Sequence, residues 1–214
     1  MMKSVARLLA GLVSATGLTS PAMAETAVFA GGCFWCVESD LEKVPGVRDV
    51  VSGYGGGKTQ NPTYKNYERG GHRELVKVDF DESQISYKDL TAIFLRTIDV
   101  TDAGGQFCDR GFGYSSAIHP LNEAQAKAAK AAVSEAKKAL GRKIVTPVEG
   151  AAVFWPAEDY HQEYYKSGVR TLTRFGYVTR ATAYKGYRKA CGRDQTVKRV
   201  WGAEAYKGVP KAGS

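Results

Sequence analysis

Apolar and polar positions along this 214-residue chain follow two periods, and the changes of period mark out its elements. Val28-Phe29-Ala30 is a short apolar run that passes through Gly31-Gly32 into Cys33. Phe34, Val37, Leu41 and Val44 then recur at three- and four-residue spacing, which predicts one helix stopped by Pro45-Gly46. Val47 to Tyr54 reads as a strand, and the glycines and Pro62 of residues 55–62 make an irregular loop. Glu74, Val76, Val78 and Phe80 alternate with Arg73, Leu75, Lys77 and Asp79, the pattern of a strand with one buried face. Ser86 with Asp89 resembles a capping box opening a helix whose Leu90, Ile93, Phe94 and Thr97 face inward.

Residues 102–114 form a glycine-rich loop of the kind that carries binding groups, leading into a strand at Ser115 to His119. The clearest helix is Glu123 to Leu140, capped by Asn122 and ended by Gly141, with alanine on its inner face and lysine outside. Ile144-Val145 and Ala151 to Trp155 read as a last strand pair, and residues 157–165 as a short polar-aromatic helix. Strands alternating with helices predict an α/β or α+β layer built on a mixed sheet.

Composition adds a compartment. Lys3 and Arg7, an apolar stretch from Leu8 to Leu18, and Ala22-Met23-Ala24 have the form of a cleavable leader cut before Glu25. The apolar run is too short to span a bilayer, and no other span follows, so residues 1–24 are expected to be a signal peptide and 25–214 one exported catalytic domain, periplasmic and without stable membrane insertion. Without Lys3 and Arg7 the 30 cationic residues fall to 28 against 22 acidic, a formal charge of +6. Much of it lies in the last quarter, at Lys185, Arg188, Lys189, Arg193, Lys198, Arg199, Lys207 and Lys211. No nucleic-acid recognition motif accompanies these charges, so a solvated face is expected and nucleic acid is excluded as a partner.

The candidate chemistry starts at Cys33. A thiol in the first turn of a helix faces unpaired N–H groups and the positive end of the helix dipole, which favours its thiolate. Cys33 and Cys36 also fit a structural disulfide or a thioredoxin-like dithiol. A zinc site would need more ligands, and Cys108 and Cys191 are isolated in sequence, so no metal is expected. Glu74, on the Val-Val-Phe side of its strand, is either desolvated, with a raised pKa useful to a general acid, or a frayed strand end in water. His161 is read as structural rather than as a base.

Gly32-Cys33-Phe34-Trp35, Ser52-Gly53-Tyr54, Asn61-Pro62-Thr63-Tyr64, Gly71-His72-Arg73-Glu74, Asp109-Arg110-Gly111 with Tyr114 and Ser116-Ala117-Ile118, and Glu158-Asp159-Tyr160-His161-Gln162 occur in this order. Together they resemble the A-type peptide methionine sulfoxide reductases over nearly the whole of residues 25–214. The resemblance implies an α/β (α+β) two-layer sandwich with a central mixed sheet, a ferredoxin-like core and a long irregular C-terminal segment over residues 180–214.

It also implies roles. Cys33 resembles the nucleophile that attacks sulfoxide sulfur, Glu74 the acid that protonates the oxygen, and Tyr64 and Tyr114 the hydroxyls that hydrogen-bond it. Phe34 and Trp35 resemble the walls of the methyl pocket, and Asp109 the contact to the substrate's backbone amine. Attack would leave a sulfenic acid on Cys33, which a second thiol condenses to a disulfide. The implied substrate is the S epimer of oxidised methionine, in proteins or free; the implied reductant is an external thiol, a thioredoxin-like protein or dithiothreitol, with no bound cofactor and a monomeric enzyme.

Two positions depart from the commonest family pattern. Cys36 stands where glycine is usual and Cys108 where asparagine is usual, which leaves three candidates for the resolving cysteine. Cys191 is preferred, on the expectation that a flexible C-terminal segment swings to the sulfenic acid. Cys36 is its rival, and Cys108 is third, with a static disulfide to Cys36 as its alternative.

Overall fold

The computed structural model describes residues 24–210, so the leader expected over residues 1–24 lies outside the described residues except for Ala24. Five strands make the central sheet: β1 (Ala24–Ala30), β2 (Val47–Gly55), β3 (Arg73–Asp81), β6 (Ala117–Ile118) and β7 (Phe154–Pro156), in the order β6-β1-β3-β2-β7. All of these pairings are antiparallel. The expected mixed sheet is therefore corrected: among the described residues the parallel element is the single bridge between Ile118 and Val148. Helix α1 (Phe34–Leu41) joins β1 to β2, and α2 (Tyr87–Leu95) follows β3, so the order of β6, β1, β3 and β2 is that of a ferredoxin-like core.

The alternation along β1 divides the interior. Ala27 and Phe29 join the main core with Val37, Leu90 and Phe94, while Val28 and Ala30 face the other side of the sheet against Leu75 and Ala117. Phe29 stacks on Phe94 with ring centroids 4.5 Å apart. Helix α3 (Glu123–Leu140) packs on α2 through its alanines, with Ala129 and Ala132 fully buried. Its ends follow from side-chain and backbone chemistry: Asn122 Oδ1 accepts the Gln125 N–H at 2.8 Å, and Gly141 takes a left-handed turn at φ 60°. Ser86 caps α2 in the expected way, accepting the Asp89 N–H at 3.1 Å.

Three expectations are corrected in the second half. The glycine-rich loop holds a two-strand ladder, β4 (Gly105–Gln106) with β5 (Asp109–Arg110), and the strand after it shrinks to β6. Ile144-Val145 is not a strand; the Val145 amide instead donates to the Val100 carbonyl, and β7 alone pairs with β2. The helix expected over residues 157–165 reduces to a single 3-10 turn, Asp159–His161, because Gln162 leaves the helix to bond the Ser52 amide and carbonyl.

The C-terminal segment is not irregular. A hairpin of β8 (Arg170–Thr173) and β9 (Gly176–Thr179) leads into α4 (Arg180–Ala190) and α5 (Arg193–Trp201). Both helices dock on the core. Ala183 and Val197 are fully buried, Trp201 Nε1 donates to the Ile98 carbonyl, and the buried Arg193 guanidinium donates to the carbonyls of Gly31 and Thr97. No described helix is long and apolar enough to cross a membrane.

Candidate active site

Cys33 is the N-cap residue of α1, and its carbonyl accepts the amides of Cys36 and Val37. Its side chain makes no capping bond, so the sulfur is left to face outward from the end of β1. Gly32 makes the corner before it at φ +77°, where a Cβ would lie 2.5 Å from Gln106 Cβ. Only glycine fits this turn, and it brings the 105–110 ladder against the corner that carries Cys33.

A cavity of about 320 Å³ opens at this corner, lined by Cys33, Phe34, Trp35, Tyr64, Glu74, Asp109 and Tyr114. These seven are the residues that the sequence singled out as catalytic or substrate-binding, and the fold gathers all of them. Cys36, Cys108, Cys191 and Arg193 line the same space.

Glu74 is the second residue of β3 and is 3% exposed, so it is not a frayed strand end. Its Oε2 accepts the Phe34 N–H at 2.8 Å, and Oε1 accepts the Tyr67 hydroxyl at 3.4 Å. Burial outweighs both hydrogen bonds and pushes the carboxyl up to about 8, with the charge of Asp109 adding to the rise. At neutral pH this group is a protonated acid beside a thiol.

The two thiols titrate as a pair. Cys36 is drawn down to about 7, first by a hydrogen bond from Cys33 and then, against burial, by the guanidinium groups of Arg193 and Arg188. Cys33 is held well above the ordinary thiol range by that same hydrogen bond, by burial, and by the charges of Cys36, Glu74 and Asp109. The thiolate expected from the helix N-terminus is corrected accordingly. The bond from Cys33 is the largest influence favouring the anion on Cys36, and the guanidinium groups of Arg193 and Arg188 add to it, together outweighing the partial charge of a two-turn helix at Cys33.

Phe34 is buried, tilted against Tyr54 and His161, whereas Trp35 stacks on Tyr164 with centroids 3.8 Å apart. The two rings form an apolar wall suited to a methyl group. Tyr64 is pushed up to about 12, and Tyr114 is also raised, in both cases by burial and by the charge of Glu74, so both hydroxyls stay protonated donors. Asp109 is raised by burial and opposed by Arg193 and Arg174. His161 sits among Phe34, Trp35 and Tyr64, and burial pushes it down to about 4, which fits an aromatic wall rather than a base.

Tyr67 was not singled out by the sequence reading, yet its hydroxyl reaches the Glu74 carboxyl and its ring stacks on Tyr54. The available signal was its place three residues after Tyr64, one turn along a chain of successive turns. Cys108 and Cys191 form a disulfide with Cα atoms 5.0 Å apart, while Cys33 and Cys36 are free. The Cys108–Cys36 pairing considered from sequence is thus corrected.

The chain matches the family model described as peptide methionine sulfoxide reductase over residues 25–201. It is 54% identical over 206 residues to peptide methionine sulfoxide reductase MsrA 2 of Rhizobium meliloti, covering 95% of this chain and 98% of that one. It is 40% identical to the protein of the same name from Caulobacter vibrioides, covering 94% and 100%. Among solved structures, it resembles Mxr1 from Saccharomyces cerevisiae in reduced form with a TM-score of 0.64 at 28% identity, covering 78% of this chain and 99% of that one. Methionine sulfoxide reductase A of Corynebacterium diphtheriae gives a TM-score of 0.62 at 29% identity, covering 68% and 75%.

Proposed function

The chain belongs to the peptide methionine sulfoxide reductase family and has its A-type activity, and from that premise we propose how its own residues divide the reaction. The carrying observation is the hydrogen bond from the Phe34 amide to Glu74, which sets a protonated carboxyl one peptide unit from Cys33 in a shared cavity. Phe34 and Trp35 take the methyl of the S-sulfoxide, Asp109 takes the backbone amine, and the S=O oxygen turns toward Glu74, Tyr64 and Tyr114.

The Cys36 thiolate takes the Cys33 proton as Cys33 sulfur attacks the sulfoxide sulfur, and Glu74 protonates the oxygen, which is otherwise a poor leaving group. One oxygen atom is transferred: a thiol and a sulfoxide become a sulfenic acid and a thioether. A second thiol then condenses with the sulfenic acid, forming a disulfide and releasing water. A thioredoxin-like dithiol reduces that disulfide by exchange and is itself oxidised.

Cys36 moves ahead of Cys191 as the resolving thiol. Cys36 already contacts Cys33, and Arg193 and Arg188 favour its anion. The case for Cys191 rested on a swinging tail, but Cys191 ends a docked helix and is bonded to Cys108.

The protein is exported and acts as a monomer after cleavage before Glu25. The leader pattern of residues 1–24 supports export, and so does a disulfide of a kind that persists in oxidising compartments. The test pairs two measurements. Purified mature protein is assayed with the separate S and R epimers of a methionine sulfoxide peptide and dithiothreitol; turnover confined to the S epimer is expected, and equal turnover of both refutes the assignment. Mass analysis of the periplasmic fraction should find a chain starting at Glu25, and an intact N-terminus in the cytoplasm alone refutes export.

A further inference from the structure

Cys108 and Cys191 are 83 residues apart in sequence, which is why no metal site is legible there, but the fold bonds them to each other and sets one carboxylate, that of Asp109, against both sulfurs. Asp109 Oδ1 lies 3.7 Å from Cys108 Sγ and Oδ2 lies 3.8 Å from Cys191 Sγ. The ligand atoms of all three residues fall within 4.8 Å of one another. Two thiolates and a carboxylate are a donor set for Zn²⁺, whose bonds of about 2.3 Å to sulfur set tetrahedral neighbours roughly 3.8 Å apart. Opening the disulfide supplies that spread, because side-chain rotation alone separates the two sulfurs while the backbones stay 5.0 Å apart at Cα.

Three further features favour a bound ion. The Cys108 amide donates to Cys191 Sγ at 3.3 Å, a backbone hydrogen bond of the kind that orients and stabilises a ligating thiolate. The three residues are half-buried to exposed on the wall of the active-site cavity, so a fourth position stays open to water. The charges of Arg174 and Arg193, which act on Asp109, offset the surplus negative charge of two thiolates, one carboxylate and one divalent cation.

We propose that the reduced protein binds one Zn²⁺ on Cys108, Asp109 and Cys191, and that disulfide formation expels it. An external dithiol or phosphine supplies the two electrons that convert the disulfide to two thiols, and each thiol releases its proton on binding the ion. Oxidation of the two thiolates by an incoming disulfide returns the bond, frees the ion and, with two protons taken from solvent, leaves the oxidant as a dithiol. The bound ion occupies Asp109 and narrows the cavity, so Zn²⁺ blocks sulfoxide turnover only while this cysteine pair is reduced.

The test uses full-length mature protein, reduced with a phosphine, desalted without oxygen, and titrated with Zn²⁺ against a chromophoric chelator. One ion per chain is expected in the reduced protein at this site and none in the disulfide form; equal binding by both forms, or none by either, overturns the proposal. Cys108→Ser and Cys191→Ser should each weaken binding by more than roughly a hundredfold, with circular dichroism confirming the fold. The Cys33→Ser/Cys36→Ser double variant should keep its ion and show the cobalt–thiolate charge-transfer band when Co²⁺ replaces Zn²⁺. Loss of binding in a folded double variant places the ion on the Cys33–Cys36 pair and refutes the proposal. The comparison of reduced and oxidised wild type needs no substitution and decides the matter even where a variant fails to fold.

Discussion

The backbone amide of Phe34 donates to the side chain of Glu74 across 2.8 Å, joining the first residue of α1 to the start of β3. One bond thus fixes the carboxyl beside the peptide of Cys33. The hydrogen bond alone would lower the carboxyl's pKa, so its elevation to about 8 measures how thoroughly β3 and the tyrosines exclude water.

The rate of oxygen transfer is expected to follow a narrow bell in pH. Loss of the first proton from the thiol pair near 7 raises the rate, and loss of the Glu74 proton near 8 lowers it about tenfold per further unit. Single-turnover rates of fully reduced protein, measured from pH 6 to 10, check this. A rate that keeps rising through pH 9 removes Glu74 as the acid.

Replacing Glu74 with Gln leaves an acceptor for the Phe34 amide but no acidic proton. The single-turnover rate should fall by roughly 10²–10⁴-fold and lose its high-pH limb. Tyr67→Phe, which removes one hydrogen bond to the same carboxyl, should lower the rate far less and shift that limb upward, since the bond from Tyr67 favours the charged form. Identical profiles for wild type and Glu74→Gln would rule out the role.

Cys33→Ser should abolish turnover, whereas Cys36→Ser, lacking the thiolate that takes the Cys33 proton, should release one equivalent of methionine more slowly than wild type and then stall as a sulfenic acid. A dimedone adduct on Cys33, found by peptide mass, would mark that stall. In wild type quenched after one turnover, the same mapping should find Cys33 bridged to Cys36. A bridge from Cys33 to Cys191 instead would restore Cys191 as the resolving thiol.

Glu38 is fully buried, accepts hydrogen bonds from Ser52 Oγ and the Glu163 amide, and is pushed up to about 7 by burial. A carboxyl whose folded pKa exceeds its unfolded value contributes stability below the unfolded pKa and loses it as pH rises through the folded one. The wild type should therefore lose stability between about pH 4.5 and 7 from this group. Glu38→Gln should remove that loss, gaining on the order of 1–3 kcal/mol relative to wild type at pH 8 and nothing at pH 4. Urea titrations at the two pH values decide it.

Gly32→Ala should destabilise the fold by roughly 1–3 kcal/mol, because the added methyl meets Gln106 and the backbone sits at positive φ. Gln106 has little room to retreat: its side chain bonds both the amide and the carbonyl of Asp99. A melting temperature within a degree of wild type would show that the ladder yields freely.

The legible parts of the chain were those set by local chemistry. Asn122 and Gly141 fixed both ends of α3, Ser86 opened α2, and the alternation through Glu74 to Phe80 marked β3 and the side on which Glu74 lies. Resemblance then drew together the residues that line the cavity. What stayed hidden depends on distant partners. Strand direction is settled by pairing, so the sheet proved antiparallel, and α4 and α5 looked like a solvated tail because their anchors include Arg193, a cation satisfied by the carbonyls of Gly31 and Thr97. The anion of the thiol pair also lies with Cys36, favoured first by the bond from Cys33 and then by arginines more than 150 positions away.

The bond between Cys108 and Cys191 closes a loop of 83 residues, and in the chain-entropy view a staple of that span withholds about 4–5 kcal/mol of freedom from the unfolded chain. Nearly half of the described polypeptide is therefore cinched by a link that a strong reductant can cut. The thiol reductant proposed to recycle the enzyme is thus also expected, wherever it opens this bond, to lower the temperature at which the fold melts.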